Sequence, residues 1–365
     1  MPDSEEVLRQ LRKAEHLAAV RGLGDRGPSP GFEDVALVPN CAPEVDWTEV
    51  SLETTLCGIR LPSPLIINAM TGGHPEAEAI NRRLARVARR FGLAMAVGSQ
   101  RAALGDPSVA PTYAVARREY PEGVLIANLG LNASVAEARA AIALIGAQIL
   151  QIHWNVAQEL FMAEGDRQFR GAMDALASIC AEVPQPVIAK EVGQGIAGPE
   201  AWRFVQAGVR AIDVGGAGGT NFLAVEAWRR GESLDPEWER WGLPTVVTLS
   251  EVLATVDGAV DVIASGGVRT AHDVVKAMAL GATAVGMAGP LLRLVSEPDG
   301  EARAEQFLAA LHRDLQTLLV LTGSRNWQAL RQRPVVVRGD TAAWLDARGF
   351  GAWRLRLARR HPPGA

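Results

Sequence analysis

The segment His153-Trp154-Asn155-Val156-Ala157-Gln158-Glu159 gathers an imidazole, two carboxamides and a carboxylate in one short run. Such a set offers polar groups for holding and orienting a ligand. It contains no acid strong enough to protonate an unactivated carbon. A second chemical group is Lys190, in Lys190-Glu191-Val192-Gly193. It is one of only three lysines, with Lys13 and Lys276, in a chain whose other basic residues are arginine. Lysine's compact ammonium is not interchangeable with guanidinium, so a lysine that persists against this bias draws notice. Two glycine-bearing stretches, Gly266-Gly267-Val268-Arg269 and Ala288-Gly289, would present backbone N–H groups, helix N-termini and one guanidinium, which together suit a phosphate.

These residues must be positioned by something regular, and the chain supplies it. Short apolar runs predict strands at Leu65–Asn68, Leu93–Val97, Val124–Asn128, Ile149–His153, Val187–Glu191, Ala211–Val214, Val262–Ser265 and Ala284–Met287. Most are continuously apolar, as strands buried on both faces of a parallel sheet must be. Helical periodicity falls between them, over Ala77–Phe91, Ser134–Ile145, Arg167–Ala181, Pro199–Ala207 and Thr270–Leu280, with Ser134 and Thr270 suited to capping. Eight strand–helix units predict an α/β fold of the TIM (β/α)8 barrel type, with residues 61–350 forming the barrel. Residues 1–60 read as an N-terminal lead-in, Phe222–Leu243 as a long Trp-bearing loop after strand six, and 351–365 as a disordered tail.

In such barrels the chemistry sits at the C-terminal ends of the strands. Here those ends read Asn68-Ala69-Met70-Thr71, Gly98-Ser99-Gln100-Arg101, Asn128-Leu129-Gly130, His153-Trp154-Asn155 and Lys190-Glu191. Strands six to eight end in Gly215 to Asn221, Ser265-Gly266-Gly267 and Gly286-Met287-Ala288. Turns alone would not require Asn, Ser, His and Lys at these places. Lys190 would project into the barrel mouth, where a bare ammonium needs an anionic partner. Glu191 is disfavoured as that partner, because neighbours on a strand face opposite ways. The negative N1/O2 edge of a reduced flavin would serve.

Composition narrows the class. A net charge of −4 disfavours nucleic acid as a partner. Cys41, Cys57 and Cys180 form no CxxC pair, which disfavours a zinc site or disulfide framework and suits a reducing compartment. The acidic N-terminus lacks an apolar signal core and no run is long enough to span a membrane, so a cytoplasmic protein is expected. No G-x-G-x-x-G follows a strand and no lysine sits in a P-loop context.

Taken together, four motifs resemble the type 2, FMN-dependent isopentenyl-diphosphate isomerase family over nearly the whole chain. They are Asn68-Ala69-Met70-Thr71-Gly72-Gly73, the run from Gln151 to Glu159, Lys190-Glu191-Val192-Gly193, and Gly218-Gly219-Thr220-Asn221-Phe222. The resemblance implies that FMN contacts Ala69, Met70, Thr71, Ser99, Asn128, Lys190, Thr220, Gly267, Arg269, Ala288 and Gly289. It implies that Arg12 and Lys13 reach the substrate diphosphate, that Arg101, His153 and Asn155 line the same pocket, that Glu159 holds Mg2+, and that Gln158 lies nearest the isoprenoid carbons, so that Arg12, Lys13, Arg101 and Gln158 bind substrate and Gln158, His153 and Asn155 are catalytic. Reduced FMN would serve as acid and base with no net redox, NADPH being needed only to prime it. A homotetramer or homo-octamer is implied. Trp154 departs from the pattern, standing where a smaller aliphatic residue is expected, with a consequence for pocket shape or subunit packing.

Two other barrel chemistries fit less well. An FMN-dependent 2-hydroxy-acid oxidase needs a histidine base after strand six, where Gly215 to Phe222 offers none. An IMP-dehydrogenase-like enzyme needs a nucleophilic cysteine there, whereas Cys180 falls in an expected helix. A flavin-binding scaffold without activity would have no use for the intact substrate residues. His74, His272 and His312 are read as structural, and His16 as either packing or substrate contact.

Overall fold

The computed structural model describes residues 27–360, together with Glu15, Ala19, Gly22 and Leu23 of the preceding segment. Eight strands close into a barrel. They are β1 (Leu65–Ile67), β2 (Ala94–Ala96), β3 (Leu125–Gly130), β4 (Ile149–Trp154), β5 (Val187–Glu191), β6 (Ala211–Asp213), β7 (Asp261–Ser265) and β8 (Ala284–Met287). All neighbours are parallel, and the ring closes where β8 pairs with β1, Met287 opposite Ile67. Each expected strand is present with its ends within two residues of the expected ones.

Strand alternation sorts the interior into layers. Ile66, Ala94, Ala96, Ile126, Ile149, Ile188, Ala211, Ile263 and Ala284 meet inside as one apolar cluster. Two residues further along, on the same face, come Asn68, Gly98, Asn128, Gln151, Lys190, Asp213, Ser265 and Gly286. The barrel therefore changes from apolar to polar over one step of the pleat. Its floor is sealed by an antiparallel hairpin of Thr54–Leu56 and Ile59–Leu61, whose Leu56 and Leu61 are buried in the apolar cluster.

Helices pack outside, several stopped and started by local chemistry. Ser134 and Thr270 each accept from the N3 backbone N–H, with Glu137 and Asp273 reaching back, so both are full capping boxes. The helix expected over Arg167–Ala181 instead begins at Ala172, behind a left-handed Gly171. Arg167 is spent on carbonyls: it donates to Met162 O at 2.7 Å and Gly165 O at 2.9 Å, which folds the β4 connection back toward the mouth.

Two further expectations are corrected. The Trp-bearing connection after β6 contains two helices, Phe222–Arg229 and Pro236–Glu239, with Trp238 edge-on to Phe161 at 5.2 Å. The tail is ordered through its first half: Gly351–Ala358 is a helix with Leu357 buried, tied down by Arg354 to Asp346. Its basic, arginine-rich composition hides an amphipathic turn with one anchoring leucine. Residues 361–365 lie outside the described residues. The lead-in is also bound to the chain's far end, through antiparallel pairing of Val35–Leu37 with Val335–Val337.

The fully buried Leu56 plug gives a stability test. Leu56→Ala is expected to cost about 2–5 kcal/mol in urea unfolding, because the barrel floor cannot collapse onto the space.

Candidate active site

The polar layer at the mouth is organised by Asp213. Its buried carboxylate accepts from Asn68 Nδ2 at 2.9 Å and from the Ser265 hydroxyl, and it pairs with Lys190 Nζ at 3.1 Å. Lys190 also donates to Ser265 Oγ at 3.2 Å. Lys190 and Asp213 stand directly opposite each other on β5 and β6. The counter-charge that the sequence reading assigned to a reduced flavin is thus present in the protein. A charged residue two places after Ala211, on the inward face of an otherwise apolar strand, was the signal for it.

Asn68 transmits this order to the backbone. With Nδ2 on Asp213, its Oδ1 accepts from Ala69 N at 2.9 Å, which sets Ala69-Met70-Thr71 across the mouth. The crossing is tight enough that a Cβ on Gly286 would lie 2.4 Å from Asn68 Nδ2, and one on Gly98 2.6 Å from the Thr71 backbone. These glycines are required by close approach.

On the opposite side, Asn128 orders His153. Asn128 N donates to Gln100 Oε1 at 3.0 Å and Nδ2 to Gln151 Oε1 at 3.2 Å, leaving Oδ1 to face His153 Nδ1 at 2.7 Å. That network makes Nδ1 the donor toward Asn128. Beyond the strand, Asn155 Nδ2 donates to Glu159 Oε1 at 2.9 Å and lies 3.4 Å from Gln158 Oε1. Gln158 Nε2 donates to Glu226 Oε1 at 2.9 Å. Glu159 Oε2 accepts from Asp166 N at 2.9 Å.

All of these ends surround one cavity of about 340 Å³, within the range of ligand pockets, roughly 300–1,000 Å³. Ala69, Met70, Thr71, Ser99, Asn128, Lys190, Thr220, Gly267, Arg269, Ala288 and Gly289 all line it, as do Arg101, His153, Asn155, Gln158 and Glu159. Arg101 is half-exposed at the rim, 3.7 Å from Glu137. Arg269 closes the β7 end, donating to Gly267 O at 2.7 Å and Gly218 O at 2.6 Å. Arg12, Lys13 and His16 lie outside the described residues.

Trp154 is not in the cavity. It faces outward from β4 and packs against Phe204 at 5.0 Å, so its size affects the helix layer and leaves the pocket unchanged. Glu226, and with it Arg229, was invisible in the sequence. Its contact with Gln158 spans 68 residues and exists only because helix Phe222–Arg229 covers the β4 connection. The apolar wall of Leu131, Met162, Phe169 and Phe222 was likewise unforeseen. The histidines read as structural include His74, which caps its helix, and His312, held between Leu308 O and Ser63 Oγ. Burial pushes the Cys57 thiol up to about 12 and that of Cys180 to about 11, which suits neither to nucleophilic work.

Glu191 faces away from Lys190, as alternation requires. It accepts from Gly195 N at 3.0 Å and from Gln194 N, shaping the turn that brings Val192 and Gly193 to the pocket. Burial pushes its carboxyl from the ordinary 4.5 up to about 8, against the pull of those N–H groups. The folded protein therefore holds this proton more tightly than the unfolded chain. The resulting stability is complete below pH 4.5 and is lost as pH climbs through about 8. Wild type should lose stability over that window relative to Glu191→Gln, as measured by urea midpoints across pH. Asp213→Asn strands the Lys190 ammonium and should cost about 3–5 kcal/mol, part of it recovered in Asp213→Asn/Lys190→Met.

A family model described as FMN-dependent dehydrogenase matches residues 131–337. An isopentenyl-diphosphate delta-isomerase of Symbiobacterium thermophilum is 46% identical over 95% of this chain and 98% of its own length. That of Moorella thermoacetica is 44% identical over 95% and 99%, and that of Methanothermobacter thermautotrophicus 37% identical over 93% and 96%. Among solved structures, a mandelate oxidase with benzoyl-formic acid superposes with a TM-score of 0.61 at 20% identity, covering 88% of this chain and 94% of that one. A mutant mandelate oxidase with (S)-mandelic acid gives 0.62 at 22% identity, covering 89% and 94%. These solved structures share the fold. The long, high-identity matches, over a barrel whose strand ends carry all four motifs, place the chain: it belongs to the type 2, FMN-dependent isopentenyl-diphosphate delta-isomerase family.

Proposed function

We propose that this chain interconverts isopentenyl diphosphate and dimethylallyl diphosphate, moving a double bond with no net redox. The observation that carries the reading is the linked set Asn155, Gln158 and Glu159 on the rim of a cavity that also receives Lys190 and His153. An α-hydroxy-acid oxidation would need a histidine near β6. Among the described residues, His153 on β4 is the one histidine lining the cavity.

The cavity fits FMN. One wall is the pinned backbone of Ala69 to Thr71, open because Gly98 and Gly286 lack side chains. Ser99, Asn128, Lys190 and Thr220 would hold the ring system with that wall. Gly267, Arg269, Ala288 and Gly289 would take the phosphate, with the Arg293 guanidinium close to Gly289 as a second cation. Bound in its reduced form, primed by NADPH, the flavin supplies a nitrogen able to give and take a proton, a group that no side chain here replaces. Glu159 fits Mg2+ shared with a diphosphate. A hard cation that keeps most of its water needs one or two protein carboxylates, and among the described residues no cluster of three candidate ligands competes for it.

The chain's own residues then divide the work. Arg12, Lys13 and Arg101 would fix the diphosphate, Glu159 would hold the cation shared with it, and that remote binding energy would place the alkene. His153 and Asn155 orient that end. Gln158, held by Asn155 and Glu226, lies against the carbons. Leu131, Met162, Phe169 and Phe222 keep water from the cationic character that develops at C3. The exposed Trp228, Trp238 and Trp241 suit burial in a homotetramer or homo-octamer. No described helix is long and apolar enough to cross a membrane, which is compatible with a cytoplasmic site of action.

The decisive assay reduces the FMN-loaded protein anaerobically with Mg2+ and follows isopentenyl diphosphate by NMR. Dimethylallyl diphosphate is expected. Gln158→Ala should lower turnover about a hundredfold with flavin content unchanged. Bound flavin without product would end the isomerase reading, and loss of flavin in Gln158→Ala would mean that the residue is misassigned.

A further inference from the structure

Arg229 occupies an unusual position. Its guanidinium, with 14% of the side chain exposed, meets three carboxylates: Glu226 at 2.6 Å, Glu15 at 2.9 Å and Glu164 at 3.0 Å. Each comes from a different part of the chain. Glu226 lies on the same helix, Glu164 on the connection after β4, and Glu15 in the N-terminal segment, more than two hundred residues away. The ion pairs are not isolated. Glu226 is buried, and its other oxygen accepts from Gln158 Nε2 at 2.9 Å. Gln158 in turn neighbours Asn155, which donates to Glu159. Charge-assisted bonds thus run from Glu15 through Arg229 and Glu226 to the Gln158 amide, which a weaker neutral contact at 3.4 Å joins to Asn155 and so to Glu159.

We propose that Arg229 is a positioning residue that ties the segment bearing Glu15 to the orientation of the Gln158 amide. The inference deepens the isomerase reading and rests on it for the meaning of Gln158. Its physical basis is geometric. A carboxamide has two distinct ends, and its shorter, charge-assisted bond is the one that Nε2 donates to an acceptor, Asn155 lying farther off at 3.4 Å from Oε1. Glu226 is that acceptor, and one of its oxygens is committed to Arg229. The planar fork of arginine can hold Glu226 and Glu15 at once from different nitrogens, which the single ammonium of a lysine cannot match. Arg12 and Lys13 lie within one helical turn of Glu15 in sequence. Arg229 therefore links Glu15, the described residue that follows Arg12 and Lys13 in sequence, to Gln158.

The test uses FMN-loaded protein labelled with 15N at glutamine side chains, the Gln158 amide being identified by its loss in Gln158→Met. Glu15→Gln, a change at a half-exposed side chain, should shift that amide signal and lower kcat about threefold. Arg229→Gln should shift it further and lower kcat about a hundredfold, with KM changing less than kcat and flavin content unchanged. Arg229→Lys should fall between. Glu15→Gln added to Arg229→Gln should have no further effect, because the link is already broken. The proposal is overturned if Glu15→Gln leaves the amide signal where it was, or if the two changes act independently. Should Arg229→Gln fail to fold, Glu15→Gln alone decides. A shifted signal in a protein that forms no dimethylallyl product keeps the coupling and removes the isomerase reading.

Discussion

The mouth of this barrel depends on a single buried ion pair. A lone ammonium or carboxylate at the depth of Lys190 or Asp213 would cost several kcal/mol, and together they are tolerated only because further hydrogen bonds satisfy them. Asn68 and Ser265 supply those bonds, and each is the polar member of its strand at the same level. The pair thereby fixes the height at which the interior turns polar. Everything above it, including the backbone crossing at Ala69 and the glycines that make room for it, follows from Asn68 being held.

The same constraint explains how much could be read in advance. Eight strands and their polar ends were legible because a two-residue period leaves a plain trace in sequence. Capping boxes at Ser134 and Thr270 were legible because they are local. What escaped was long-range or compositional. Asp213 became a partner for Lys190 only through strand neighbourhood, and Glu226 met Gln158 only through the placement of a helix. Trp154 was expected to bear on pocket shape or subunit packing, and of these the pocket drops out because adjacency on a strand puts it on the face opposite His153. The C-terminal helix escaped because charged arginines outweigh its one buried leucine.

Sharing a barrel with mandelate oxidases at 20% identity says nothing about chemistry on its own. Within this chain the strand ends differ in which of them carry polar side chains. Here the glycine-rich β6 end, Gly215 to Asn221, contributes backbone and Thr220, whereas the β4 end contributes an imidazole, two amides and a carboxylate. A β4 end furnished this way offers polar groups for holding and orienting a ligand. A hydride-abstracting site would need its base where this chain has glycine.

The helix Phe222–Arg229 occupies the connection that such a glycine-rich end frees. In a fold whose strand ends are the active surface, a long insertion can cover the site only by resting on a neighbouring connection, and here it rests on that of β4. Covering brings a buried carboxylate, Glu226, into contact with an amide, and a buried carboxylate demands a cation. Arg229, three residues on and facing the same way, meets that demand and has donors left over for Glu15 and Glu164. Exclusion of water and linkage to the N-terminal segment are then consequences of one packing decision, because the group that satisfies the buried charge is also the one that reaches the chain's other end.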